Sequence, residues 1–240
     1  MGRNVRRRAL VSELARRCPS LQDARTMISA GEILVNGIAR TNPASLVSAS
    51  DDITVRAARQ LRGSTKLAHA LDAFGVLVDG RVAIDIGAAA GGFTQVLLAS
   101  GAARVYAVDA GHGQLRGTLR QDPRVINLER TNLGDLDHNI VPEPVEIITI
   151  DLSYLSLAGA APQLETLRIS PAADLVALVK PAHELALGSL PRDEHMIARA
   201  VQHANAGLSA TGWLVCGDIR SPVAGARGAI EWVVHAQRRR

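Results

Sequence analysis

The chain has 240 residues, with 27 Lys and Arg against 23 Asp and Glu, 47% hydrophobic residues and only two each of Phe, Tyr and Trp. That length allows one large domain or a large domain with a small appendage, and the core must be aliphatic. No apolar run approaches the ~18 residues of a membrane span, the charged N-terminus has no apolar stretch behind it, and Cys18 and Cys216 make no metal-ligand pattern. Membrane insertion, a secretory signal and a metal site are therefore not expected, and a cytoplasmic protein with free thiols is.

Positive charge is clustered: MGRNVRRR opens the chain, RAARQLR occupies 56–62 and QRRR closes it. Clustered arginine points to a polyanionic partner, nucleic acid first. Residues 6–60 read as a small module facing RNA. RRRALVSELARRCPSLQDARTMISAG places apolar residues at Leu10, Val11 and Leu14, then at Leu21, Ala24, Met27 and Ile28, which predicts two short amphipathic helices. Pro19-Ser20 separates them, with Ser20 capping the second helix and Gly31 ending it. EILVNGIAR predicts a hairpin turning at Asn36-Gly37, and DDITV one more strand. Arg16, Arg17, Arg25 and Arg40 are expected to form one basic face toward phosphates. RAARQLRGS reads as a basic connector, so the chain should divide into a small domain with its linker, 1–60, and a large domain, 61–240.

Beyond the connector the pattern alternates. Apolar runs stand at 81–87, 104–110, 124–130, 145–152, 174–180, 213–219 and 229–236, and helical patterns lie at 92–100, 113–120, 155–168 and 193–209. Near-continuous apolar strands alternating with helices predict a mainly parallel sheet covered on both faces, an α/β doubly wound, Rossmann-like domain. Its ligand belongs beyond the carboxyl ends of the strands.

AIDIGAAAGGFTQVLLASGAARVYAVDAG, residues 83–111, occupies that position. Asp85 and Gly87 end the first strand, and Gly91-Gly92 open the next helix in the pattern D-x-G-x-x-x-G-G, which differs from the dinucleotide fingerprint G-x-G-x-x-G. Asp109 ends the second strand, where an acid accepts ribose hydroxyls, and Asp85 is placed to receive a cationic amino group. An amino acid joined to a nucleoside describes S-adenosyl-L-methionine better than it does a nicotinamide dinucleotide. Asp151 and Lys180 end two later strands, in TIDLSYLS and LVKP. A lysine at the end of an apolar run needs a partner, and Asp151 is a natural one.

LQDARTMISAGEILVNG resembles the RNA-binding module first seen in a ribosomal small-subunit protein and shared by pseudouridine synthases and tyrosyl-tRNA synthetases. The whole chain resembles the haemolysin-A (TlyA) family of ribosomal RNA 2′-O-methyltransferases, with an FtsJ-like catalytic domain. RGSTKLAHALDAF, the glycine-loop segment, LRQDPRVINLERTN, DLSYLSL, LVKPAHE and GAIEWVV carry the resemblance. It implies a Lys-Asp-Lys-Glu catalytic set at Lys66, Asp151, Lys180 and Glu231. It also implies S-adenosyl-L-methionine held by Asp85, Gly87, Ala88, Gly91, Gly92, Phe93, Asp109 and Asn132, and ribosomal RNA or ribosomal subunits as substrate. No metal is implied.

A ribose 2′-hydroxyl is a poor nucleophile, so on this reading Lys180 orients the oxygen and takes its proton when neutral, Lys66 supplies a cationic neighbour, and Asp151 and Glu231 fix both amines. The chain departs from the family pattern at several points. Ala89-Ala90 replaces Ser-Thr in the loop, Ser64 replaces a glycine before Lys66, and His112 replaces a tyrosine. The 182–195 loop is short and lacks an aromatic residue that could stack on a base. Two other readings stand beside the first: a divergent member that methylates a small molecule, and a non-catalytic RNA-binding protein.

Overall fold

A computed structural model describes residues 7–17, 24–29, 31–55 and 61–238. Cys18, the Pro19-Ser20 break, most of the basic connector and the last two arginines lie outside the described residues. The chain forms two compact units. One comprises 1–59 with 116–121, and the other comprises 60–115 with 122–240.

The small unit holds β1 (Arg7–Ala9), α1 (Leu10–Arg17), α2 (Ala24–Ser29), β2 (Ile33–Val35), β3 (Ile38–Arg40), β4 (Leu46–Ser48) and β5 (Ile53–Val55). Both expected helices, the hairpin and the final strand are present. The pairing of β1 with β4 was not foreseen, because three-residue strands carry too little periodicity to read. β2 is central between β3 and β5, and the hairpin turns on Asn36 and Gly37, both at positive φ (52° and 79°), the conformation a two-residue loop demands. Leu10, Leu14, Ala24, Ile28, Ile33, Val35 and Val47 close over one another as the core.

The expected basic face is only partly available. Glu13 is buried, and Arg16 (2.6 Å) and Arg17 (2.9 Å) both bond it and hold its carboxyl down at about 2. Arg17 also donates to the carbonyls of Asp51 (2.8 Å), Ala49 (2.9 Å) and Ser48 (3.2 Å), so it braces the fold instead of facing a ligand. Arg25 and Arg40 are exposed, as expected of phosphate contacts.

The large unit is built on one seven-stranded sheet. After α3 (Arg62–Phe74) come β6 (Val82–Ile86), α4 (Gly92–Ala99), β7 (Arg104–Asp109), β8 (Val125–Glu129), β9 (Val145–Ile150), α6 (Leu157–Ala160), β10 (Ile169–Val179), α7 (Pro181–Glu184), α8 (Glu194–Ala210), β11 (Trp213–Arg220) and β12 (Trp232–Arg238). The short α5 (Gly117–Arg120) is all that forms of the helix expected over 113–120, and it clusters with the small unit. The strand order is β11-β12-β10-β9-β6-β7-β8. Pairs from β10 through β8 are parallel, and β12 runs antiparallel between β10 and β11. β6 and β9 are apolar almost throughout because they are buried on both faces, whereas edge strand β11 alternates between covered and exposed residues. The core is aliphatic, Ile84, Ile86, Val108, Ile148, Ile150, Leu175 and Val179 among it, and each such side chain contributes ~1.5–3 kcal/mol on burial. Among the described residues no helix is long and apolar enough to cross a membrane.

α3 corrects the connector reading. The first turn of a helix begins at Arg62 within the presumed linker, and the helix stops at Gly75 in the left-handed conformation. Its buried face, Ser64, Lys66, Leu67, Ala70 and Leu71, lies against the sheet, and the polar letters RGSTK concealed that face.

At the sheet end opposite the glycine loop, Asp174 on β10 ties three segments together, its own strand, the stretch before β6 and β12. Arg81 donates to it at 2.7 Å, Gln237 at 3.1 Å, and His235 Nε2 lies 2.8 Å away. Burial pushes this carboxyl up, but the bonds from His235, Arg81 and Gln237 together overcome that and hold it at about 2, against an ordinary 3.8. A depressed carboxyl contributes stability above pH ~4 and loses it as pH falls toward 2. Asp174→Asn is therefore expected to lower stability at pH 7 by about 1–3 kcal/mol and to flatten the loss between pH 4 and 2, as read by denaturant unfolding across that range.

Candidate active site

The carboxyl ends of β6, β7, β9 and β10 form one rim, and three crevices open along it. The backbone of Gly87 turns off β6 at φ 88°, with its N–H and that of Ala88 both donating to Val108 O (2.9 and 3.0 Å). A Cβ at Gly87 would lie 2.4 Å from the carbonyl oxygen of Asp151, so the loop can pass the end of β9 only as glycine.

The first crevice, of 230 Å³, lies between the ends of β6 and β7. Gly87, Val108, Asp109, Thr131, Leu133 and the 151–154 segment wall it. The Asp109 carboxylate accepts N–H bonds from Ala89 (2.8 Å) and Gly111 (2.7 Å), which fixes its direction and leaves lone pairs for a further donor. The second crevice, of 160 Å³, lies beside the first turns of α3 and α4, between Leu61–Gly63 and the Gly87–Ala90 loop, with Gly92, Phe93 and Asp151. Gly91 caps α4 at φ 91°, and Ser64 donates to the carbonyl of Gly92 at 3.0 Å, so the serine that departs from the family pattern fastens the two helix starts together. The third crevice, of 440 Å³, is lined by Lys66, Ser153, Lys180, His183, Arg227 and Glu231, with Pro181, Leu190, Pro191 and Ile230 as its apolar floor.

These crevices meet at Asp151 and Ser153. Asp151 borders the first two, and Ser153 the first and third. Lys180 Nζ lies 2.6 Å from Asp151 Oδ1 and donates to Ser153 Oγ at 2.9 Å. Lys66, on the buried face of α3, pairs with Glu231 just before β12, 165 residues away. The four expected catalytic residues thus stand as two ion pairs at one rim. Gly225 makes the second pair possible, since a Cβ there would fall 2.0 Å from the Glu231 carboxylate.

Two residues expected to hold the cofactor stand apart from the crevice walls. Asp85 is fully buried and faces none of the crevices. It accepts the Thr94 N–H (2.8 Å) and hydroxyl (2.6 Å) on one oxygen and the Thr149 hydroxyl (3.0 Å) on the other. Burial raises its carboxyl to about 6. It pins the start of α4 to the sheet. The exposed Asn132 side chain joins a capping box with Asp135 (3.1 Å), and its neighbours Thr131 and Leu133 line the first crevice. Gly87, Ala88, Gly92, Phe93 and Asp109 do line the first two crevices, and Gly91 is the N-cap of α4 next to Gly92.

Sequence reasoning missed Ser153, Tyr154, Gly225 and Arg227. Tyr154 is 58% exposed on the wall of the first crevice, next to Ser153, and supplies an aromatic ring at a rim whose 182–195 loop has none. The signal was present in DLSYLSL, but nothing in its spacing sets that tyrosine apart from a core residue. His112 sits 3.1 Å from Glu129 on the outer rim.

A doubly wound sheet whose rim carries a glycine loop, a strand-end acid and lysine–carboxylate pairs beside an open crevice defines a Rossmann-like methyltransferase. Comparison with known proteins agrees: residues 60–238 match the FtsJ-like methyltransferase family and residues 14–53 the S4 domain. The chain is 40% identical over 239 residues to the 16S/23S rRNA (cytidine-2′-O)-methyltransferase TlyA of Mycobacterium tuberculosis strain H37Rv, covering 95% of this chain and 89% of that protein. Hemolysin A of Brachyspira hyodysenteriae is 32% identical, with 90% and 93% covered. A solved structure from Streptococcus thermophilus, provisionally described as a hemolysin, superposes with a TM-score of 0.71 at 30% identity, over 97% of this chain and 89% of that one. The chain belongs to the TlyA/hemolysin A family of FtsJ-like methyltransferases.

Two substitutions test how the site is built. Asp85→Asn should leave cofactor affinity within about threefold, whereas Asp109→Asn, on the crevice wall, should weaken it at least tenfold, both read by calorimetric titration. Gly225→Ala should push the Glu231 carboxylate off Lys66 and cut kcat by about 10²-fold with cofactor affinity retained, as steady-state kinetics would show.

Proposed function

We propose that the protein transfers a methyl group from S-adenosyl-L-methionine to a ribose 2′-hydroxyl of ribosomal RNA, working on ribosomal subunits in the cytoplasm. The observation that carries this reading is the convergence of two lysine–carboxylate pairs on one crevice beside the glycine loop.

The residues present fit that cofactor. Asp109, aimed by two backbone N–H groups, suits a ribose diol; Val108, Leu133 and Leu152 supply apolar walls for a base; and Asp151 stands where the first and second crevices join. Alanines at 89 and 90 remove two hydroxyls from the loop, so backbone groups and the acid carry the contact. Bound there, the cofactor supplies an electrophilic methyl carbon on sulfur.

The chain's own groups then hold the acceptor. Lys180, fixed by Asp151 and Ser153, orients the hydroxyl oxygen, and its Nζ in the neutral form takes the hydroxyl proton. Lys66, held by Glu231, sets a second positive charge on the wall of the same crevice, which favours electron density on oxygen. Alignment of oxygen with the methyl carbon carries most of the rate. Tyr154 offers a face on which an unstacked base can rest. We assign the 1–60 segment, with Arg25 and Arg40 exposed, the task of gripping RNA phosphates, and the 61–240 segment the chemistry.

Incubating the protein and methyl-labelled cofactor with ribosomal subunits, naked ribosomal RNA and a small-molecule extract should place label in RNA, at the 2′-oxygen on nuclease digestion. Lys180→Ala should cut incorporation by at least 10²-fold and leave cofactor binding within a few-fold. Label confined to small molecules, or undiminished transfer by Lys180→Ala, overturns the reading.

A further inference from the structure

We propose that Arg227 is the phosphate clamp of the acceptor crevice, a positioning residue that holds the phosphodiester next to the reacting ribose. This rests on the RNA reading above and names how the same site takes the backbone of its substrate.

The first ground is charge. Three cationic side chains line the 440 Å³ crevice, and two are already compensated, Lys66 by Glu231 and Lys180 by Asp151. Among the described residues, Arg227 alone on that wall has no carboxylate partner. A guanidinium is always charged and presents a planar fork that matches two phosphate oxygens.

The second ground is the backbone. Arg227 sits at φ 56°, ψ 24°, the left-handed region, inside the turn between Gly225 and Ala229. A long side chain is strained there, where glycine or asparagine is not. Three hydrogen bonds hold it: Gly225 N–H to Ala229 O (2.8 Å), Ala229 N–H to Ala226 O (3.1 Å) and Gly228 N–H to Gly225 O (3.3 Å). Such an outlier on the wall of a site is a mark of function, because folding alone does not favour it.

The third ground is register. The turn that carries Arg227 is keyed to the catalytic pair, since Gly225 leaves only enough room for the Glu231 carboxylate. The turn that carries Arg227 thus abuts the carboxylate that holds Lys66. On a ribonucleotide the 2′-hydroxyl neighbours the 3′-phosphate, so a clamp registered on Glu231 delivers the oxygen to Lys180 as it grips the phosphate.

The test uses the full chain and the ribosomal RNA or subunit that the wild type labels, with initial rates across 50–200 mM KCl. Wild type is compared with Arg227→Gln, Arg227→Lys and Arg227→Asn. Gln and Asn should raise KM for RNA about tenfold, keep kcat within about threefold and leave cofactor KM unchanged. They should also reduce the slope of log affinity against log salt by about 0.7–0.9, the value of one phosphate contact. Lys should restore the slope and part of the KM. A purely structural role predicts the opposite order, with Asn, which tolerates the left-handed turn, closest to wild type. That order, an unchanged slope in Gln, or a moved cofactor KM overturns the clamp. Thermal melting confirms that each variant is folded, and Lys and Asn carry the test if Gln is not. Failure of the wild type to label any RNA sinks the RNA reading itself, whereas normal labelling with an unchanged slope sinks Arg227 alone.

Discussion

A buried lysine governs this structure. Removing an ammonium from water costs several kcal/mol unless a carboxylate meets it, and Lys66 on α3 meets Glu231, 165 residues downstream. That bond needs the first helix of the large domain to lie across the last strand. It also needs Gly225 to leave space for the carboxylate. The charge held at this depth lies on the wall of the 440 Å³ crevice.

The second pair, Lys180 with Asp151, has a different character. It lies at the mouth, with side chains 16% and 25% exposed, and Ser153 shares the ammonium. One lysine is thus locked and the other is held but reachable, a division that suits an electrostatic neighbour and a group in contact with the acceptor oxygen. Asp151 is central to both halves of the site. Its carboxylate faces Lys180, while its carbonyl lies against the turn at Gly87, so the glycine loop and the lysine are set by one residue.

Acidic residues near the rim divide by environment. Asp109, half-covered and directed by two backbone N–H groups, keeps lone pairs for a ligand. Asp85, on β6 two residues before Gly87, bonds Thr94 and Thr149 under complete burial. The same division recurs in the small unit, where Arg17 turns inward onto Glu13 and three carbonyls while Arg25 and Arg40 face solvent. Residue type announced a charge in each case. What the neighbours left unsatisfied decided its use.

The alternation of apolar runs fixed the α/β architecture in advance, because strands buried on both faces must be apolar throughout, and the glycine loop with Asp109 marked the rim because strand ends are where such a loop has room. Asn36-Gly37 announced its hairpin for an equally local reason. Family motifs located Lys66, Asp151, Lys180 and Glu231, but no spacing along the chain states that the first pairs with the last. The tertiary structure alone decided that pairing, turned Asp85 and Arg17 inward, began α3 within a segment that reads as linker, and set Tyr154 and Arg227 on crevice walls. Local sequence encodes periodicity and turns, whereas partners distant in sequence are chosen by packing, which sets what water each charge keeps.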